Sequence, residues 1–280
     1  MRSDTGQTFH LSDYTAFDFE VLSVSLDVHL DPDKTIVGNE MRLKRSSDAA
    51  IDAALHLDGD ELKLLEIKQD GQILSADKFD ASSNSLILYD LPATDEFILT
   101  VYTEINPTQN TQLMGLYRSS GNYCTQCEAE GFRRITYYPD RPDVMSVFTC
   151  RVEGSKASEP VLLSNGNLID QGDLDDDRHF AVWHDPFPKP AYLFALVGGD
   201  LGMIQDSFNT MSGRDVDLRI YEEHGKESEA DYAMDALKRS MKWDEERFER
   251  EYDLDIFMIV AVSDFNMGAM ENKGLNIFND

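Results

Sequence analysis

Leu22-Ser23-Val24-Ser25-Leu26-Asp27-Val28-His29-Leu30 alternates apolar and polar residues through nine positions. Side chains of an extended strand point to opposite faces with a period of two, so this stretch reads as a strand with one buried face. Just upstream, Phe17, Phe19 and Val21 are apolar at odd positions, so the phase flips once. One extra residue near Val21, a β-bulge, would do that. Asp31-Pro32-Asp33 then marks a turn. Further alternations occur at Ile51/Ala53/Leu55/Leu57, Leu86/Leu88, Phe97/Leu99/Val101 and Phe148/Cys150/Val152. Strand-like runs recur at Val161–Ser164, His179–Trp183 and Tyr192–Val197, divided by Gly, Asn, Asp and Pro clusters. No useful helical periodicity precedes about residue 226, so the first 200 residues read as an antiparallel all-β domain.

The pattern changes after Gly198-Gly199-Asp200. Val216, Leu218 and Ile220 suggest a strand. Ser228 to Arg250 reads as a helix, with Met234, Leu237, Met241 and Phe248 on one face. Ile256–Val262 is a continuous apolar run expected as a buried strand, and Leu275/Ile277 suggest another. Strand, helix and strand open a second, α+β domain over 201–280. The last residues carry no terminating turn, so this domain reads as cut short. A protease-resistant core is expected to end near Asp200.

Composition narrows the function classes. Twenty-five basic and 53 acidic residues leave a net charge of −28, which repels nucleic acid and anionic membrane and favours cationic small partners. Three cysteines cannot make a disulfide scaffold, and no segment resembles a signal peptide or a membrane span. The sequence therefore reads as a soluble, cytoplasmic protein.

Several motifs compete. Cys124-Thr125-Gln126-Cys127 has the spacing of a redox pair or of half a zinc site, but lacks a partner pair, so it reads as a loop with incidental thiols. The acidic run Asp170–Asp177 fails the calcium-loop pattern and reads as a solvated hairpin turn. Asp185–Pro190 reads as a rigid extended connector, and His29 and His56 fall on polar strand phases. Charges of both signs, aromatics and prolines crowd Gln126 to Asp143, which suggests a fixed loop with salt bridges. Asn266-Met267-Gly268-Ala269-Met270-Glu271-Asn272-Lys273-Gly274 follows the apolar strand. Small residues there admit another backbone, and the carboxylate can take a cation, as a peptide or amine site requires.

Gly268–Asn272 spells GAMEN, the exopeptidase signature, and with its flanks it resembles the zinc aminopeptidases of the aminopeptidase N family, bacterial branch. The resemblance also covers CTQCEAEGFRRITYYPDRPDV from Cys124, LLSNGN from Leu162 and DPFPKPAYLFALVGGD from Asp185, in consistent order from about residue 10. It implies a mostly β architecture: a saddle-like β-sandwich over 1–200, then the truncated α+β start of a thermolysin-like catalytic domain over 201–280. It further implies a substrate-binding set of Gln126, Glu128, Met267, Gly268, Ala269, Met270, Glu271 and Asn272. In that resemblance Glu271 holds the α-ammonium of a peptide with a free N-terminus, and Glu128 and Gln126 reach it from the β-domain. Gly268 and Ala269 form a backbone ledge, and Met267 cushions the first side chain. The family's HExxH zinc site and its second Glu follow GAMEN in the chain, and neither occurs in these 280 residues. Zinc is therefore expected in the full-length enzyme and none in this chain, which should be inactive alone and should pack against the rest of the catalytic domain. The competing classes are a stand-alone β-sandwich peptide-binding module without catalysis and a thiol-redox or metal protein.

Overall fold

The computed structural model describes residue 8, residues 10–92 and residues 96–280. The strand read first, Phe19–His29, is buried at Phe19 and Val21 and again at Val24, Leu26 and Val28. Its register against Thr35–Arg45 slips between Val21 and Ser23, so Leu22 is the extra residue that flips the phase. The turn that follows is closed by the Asp31 side chain, whose Oδ1 accepts the amides of Asp33 at 3.0 Å and Lys34 at 2.8 Å.

Phe19–His29 lies inside an eight-stranded sheet. Every pairing in that sheet is antiparallel except one: Phe19–His29 runs parallel to Met145–Ser155. A parallel neighbour needs a long crossover, and the chain supplies one by building several other strands before it returns. A four-stranded sheet (Val161–Ser164, Leu196–Gly199, Asn122–Gln126, Gly115–Ser119) packs on the large one. Trp183 of the large sheet donates Nε1 to the Leu162 carbonyl of the smaller one at 3.0 Å, beside edge-to-face contacts of Phe132 with Phe148 and Phe194. A small third sheet joins Leu55–Asp58, Ser85–Leu88 and Phe79–Ala81.

The second unit is a mixed five-stranded sheet with one helix, Asp231–Phe248. Asp215–Glu222 and Ile256–Val262 pair in parallel, and the helix is their crossover. Met234, Leu237 and Met241 are buried against Val216, Leu218 and Ile220. The opposite face of the sheet, including Met258, Val260, Val262, Leu275 and Ile277, joins the core of the sandwich itself. The buried interior therefore continues past residue 200.

Some expectations change in detail. Ile51 sits in a turn and is exposed, and the strand begins at Leu55. Tyr192–Val197 divides into a 3-10 turn, Ala191–Leu193, and the strand Leu196–Gly199. Pro190 ends one strand and Pro186 and Pro188 lie within it, so Asp185–Pro190 is the extended end of Arg178–Pro190 rather than a separate connector. Phe248 is exposed and stacks edge-on with Trp243 instead of lining the buried helix face. Ile256–Val262 buries alternate residues fully, while Phe257, Ile259 and Ala261 on the helix side are only partly covered.

Candidate functional site

Ala269–Met270 is a two-residue strand at the edge of the five-stranded sheet, paired antiparallel to Leu275–Asn279. Alternation along this edge sends Met270 and Asn272 inward, each 2% exposed, and leaves Ala269 and Glu271 on the surface. Being at an edge, the strand keeps one row of backbone N–H and C=O groups for an added chain. A Cβ placed on Gly268 would meet nothing within 4 Å, so the space over that backbone is open. Met267, 51% exposed, stands beside it. The inward Asn272 keeps Oδ1 buried without a hydrogen-bond partner among the described residues.

Gln126 ends the strand Asn122–Gln126, and the chain then curls back on itself. Gly131 donates to the Cys127 carbonyl at 2.8 Å, and a Cβ on Gly131 would lie 2.4 Å from the Gln126 carbonyl, so glycine is required there. Glu128 stands exposed on this turn, and the Glu128–Ala129 peptide is cis. Gln126 is 1% exposed, and neither its side-chain nitrogen nor its oxygen has a partner among the described residues. Gln126 pairs with Gly115, and the Leu113 carbonyl two residues before accepts Asn266 Nδ2 at 3.1 Å. This register sets the Gln126 turn and the 266–272 loop along the same seam between the two units.

The neighbouring charges are spoken for. Arg133 pairs with Asp140, Asp58 and Glu130, and Arg134 with Asp60 and Glu61. A salt bridge from Glu128 to either arginine, the ordinary fate of a glutamate so placed in sequence, is not formed. Neither the Glu128 nor the Glu271 carboxylate makes an ion pair or hydrogen bond among the described residues. The 126–143 segment is nonetheless the salt-bridged loop its composition suggests.

The rival motifs have other roles. Cys124 lies in a strand, not a loop, and Cys127 follows it; both are buried, and burial pushes the Cys124 thiol up to about 12 and Cys127 well above its ordinary value. Reactive or metal-binding cysteines need the opposite shift. The acidic run closes the hairpin between Asn167–Asp173 and Arg178–Pro190, with Asp176 and Asp177 both left-handed. His29 is half-exposed and bonds Asp27 at 3.0 Å.

The sequence patterns missed the residues that hold the 264–274 loop. Ser119 and Tyr117 bond Asp264 at its start, and Asn165 bonds the Lys273 carbonyl at its end. Asn165-Gly166 signals a turn, and Gly166, at φ +92°, makes one. Which carbonyls the asparagine would reach had no local signature.

Residues 16–193 match the Peptidase M1 N-terminal domain, and residues 232–280 match the Peptidase family M1 domain. The chain belongs to peptidase family M1. It is 54% identical to Aminopeptidase N of Caulobacter vibrioides over 279 residues, covering 100% of this chain and 32% of that relative. Against Aminopeptidase N of Escherichia coli the identity is 50%, covering 98% of this chain and 31% of the relative. This M1 chain thus spans about a third of the length of the curated relatives it matches. Among solved structures it is similar to Legionella pneumophila aminopeptidase A in complex with aspartic acid, with a TM-score of 0.91 and 33% identity over 96% of this chain and 32% of that one. Yeast LTA4 hydrolase shares the fold, with a TM-score of 0.74 at 20% identity over 94% of this chain and 40% of that one.

Proposed function

We propose that this chain is the N-terminal portion of a zinc-dependent aminopeptidase and carries its α-amine recognition site. The observation that carries the reading is the pair Glu128 and Glu271: both exposed, both without an ionic partner among the described residues, on a turn and just after an edge strand along one seam. Two carboxylates around one ammonium select a free N-terminus, each charge-assisted hydrogen bond being worth about 1.5–3 kcal/mol. The open backbone at Gly268 and Ala269 would hold an extended peptide by main-chain bonds, Met267 would cushion its first side chain, and the buried Gln126 amide would add a polar contact. Met270 and Asn272, facing inward, would contribute through the backbone they shape.

Zinc is implied by the family, but the residues present do not fit it. Among the described residues no group of three or more His, Cys, Asp or Glu side chains converges as a metal site, and the cysteines are buried thiols. Hydrolysis is therefore assigned to the remainder of the catalytic domain. That partner would cover the groove of about 460 Å³ between helix and sheet, lined by Phe257, Ile259 and Phe278 and by Glu222, whose Oε1 is buried without a partner among the described residues. We place the enzyme in the cytoplasm, a reading supported by its three free thiols; no described helix is long and apolar enough to cross a membrane.

The test uses the full-length protein with peptide amides bearing a free or an acetylated N-terminus. Glu271→Ala should cut kcat/KM for the free amine by two or more orders of magnitude, roughly the loss of two such bonds. Glu128→Ala should cost less. Gly268→Ala, which meets no atom of this chain, should leave the thermal midpoint alone and still raise KM. Equal cleavage of free and acetylated peptides by the wild type would refute the assignment.

A further inference from the structure

We propose that Asn165 and Ser119 are positioning residues that clamp the two ends of the 264–274 loop and so fix where Glu271 stands relative to Glu128. The proposal rests on the amine-site reading above and adds the device that sets its geometry. Asn165 follows the strand Val161–Ser164 and is 3% exposed. Its side chain is saturated: Oδ1 accepts the Ala195 amide at 2.7 Å, and Nδ2 donates to the Leu193 carbonyl at 3.0 Å and the Lys273 carbonyl at 2.8 Å. The first two bonds stay within the sandwich. The third crosses to the peptidase unit and lands two residues from Glu271.

The same junction is closely fitted. A Cβ on Gly274, at φ +76°, would lie 3.2 Å from the Gly166 amide and 2.8 Å from Leu254. Lys273 itself is held by Asp253 at 2.6 Å and lies 4.5 Å from the Phe187 ring centre. At the other end Ser119 Oγ donates to Asp264 Oδ2 at 3.0 Å and accepts the Asp264 amide at 3.0 Å, while Tyr117 Oη donates to the Asp264 carbonyl at 2.8 Å.

Apart from Asp253 and Phe187, these anchors lie in or directly after strands of one sheet. Ser119 and Tyr117 lie in one strand of the four-stranded sheet, Gln126 ends the next strand, and Asn165 follows a third. A single sheet therefore carries the Glu128 turn and grips both ends of the loop that bears Glu271. Relative placement of the two carboxylates then depends on these bonds across the two units as well as on the pairing of Ala269–Met270 with Leu275–Asn279. Displacement of a binding group by about 1 Å is enough to lose about 100-fold in rate.

The discriminating variant is Asn165→Asp in the full-length protein. It keeps the acceptor for Ala195 and the side-chain shape, but it removes the donor to both Lys273 and Leu193 and sets a buried carboxylate oxygen against those two carbonyls. The thermal midpoint should fall, because two buried carbonyls lose their donor, and amide exchange over residues 271–275 should rise at least tenfold more than exchange in Phe19–His29. The preference for a free over an acetylated N-terminus should narrow about tenfold, mainly through KM. Ser119→Ala should produce the same exchange response at residues 264–267, and it decides the matter if Asn165→Asp fails to fold. Unchanged local exchange in the folded variants overturns the clamp. Loss of discrimination on Glu271→Ala is read separately: if that variant discriminates like wild type, the amine-site reading fails, whatever the exchange shows.

Discussion

Asp140 shows how a single buried charge in the loop beside the site is controlled. Burial raises its carboxyl to about 6, against the opposing pull of Arg133, whose amide and Nε reach it at 3.1 and 3.2 Å. The folded protein therefore holds a proton that the unfolded chain gives up near 3.8, and stability contributed by Asp140 falls as pH rises from about 4 to about 6. Asp140→Asn should flatten that part of the stability profile in denaturant titrations; an unchanged slope would contradict the assignment. Lys189 is the complementary case. It is buried beside Asp185 at 3.1 Å with its ammonium 4.2 Å from the Phe148 ring centre, and burial lowers it to about 8. Its penalty is present below about 8 and fades as pH climbs toward 10.5, since the unfolded chain then binds the proton the folded one has released. Lys189→Met strands the fully buried Asp185 and should cost about 3–5 kcal/mol at neutral pH. Adding Asp185→Leu should recover most of that loss, as measured by urea unfolding. The lysine and aspartate were legible as letters four apart. That they would be buried together was not, because burial depends on what the other sheet lays over them.

Among the elements, the helix Asp231–Phe248 is held by packing more than by its ends. No side chain caps its N-terminus, and its C-cap Glu249 adopts the left-handed conformation at φ 54°. An L side chain pays about 1–2 kcal/mol for that conformation, while glycine pays for it only in the unfolded chain's larger freedom. Glu249→Gly should raise stability by about 0.5–1 kcal/mol, seen as a higher unfolding midpoint; a drop would mean the Glu249 side chain does more than its geometry shows. The helix was visible through Met234, Leu237 and Met241, and its final turn was overread. Phe248 continues the spacing but lies beyond the sheet that buries the others. Strands with mixed faces escaped for the same reason. In Thr35–Arg45 the buried face carries polar Thr35 and Asn39 among Val37, Met41 and Leu43, which interrupts the apolar pattern, and in Gly202–Asn209 little is buried at all.

In the whole molecule, the continuity of the core is the decisive property. Val260, Leu275 and Ile277 share one interior with Val24 and Trp183, while the helix side forms a second, smaller cluster. The peptidase strands should therefore unfold with the sandwich, and the helix should open first. Native-state hydrogen exchange checks this: amides of 256–262 and 275–279 should exchange with the free energy of Phe19–His29, and those of 234–248 with a lower one. Exchange of the strands together with the helix would restore a boundary near residue 200.

Periodicity alone determined the β character of the first 200 residues, a bulge near Val21 and the helix between two strands, because side-chain alternation and helical spacing are local consequences of backbone geometry. Small residues beside a carboxylate also marked Gly268–Asn272 as a candidate peptide or amine site, whereas Gln126 and Glu128 were singled out only by the family resemblance. Tertiary structure decided the rest. It chose which acids Arg133 and Arg134 would take, and so left Glu128 unpaired. It turned Met270 and Asn272 inward while leaving Glu271 at the surface. It brought Asn165 to Lys273 across 108 positions of chain. Such pairings depend on how two sheets meet, and residues that far apart carry no local sign of it.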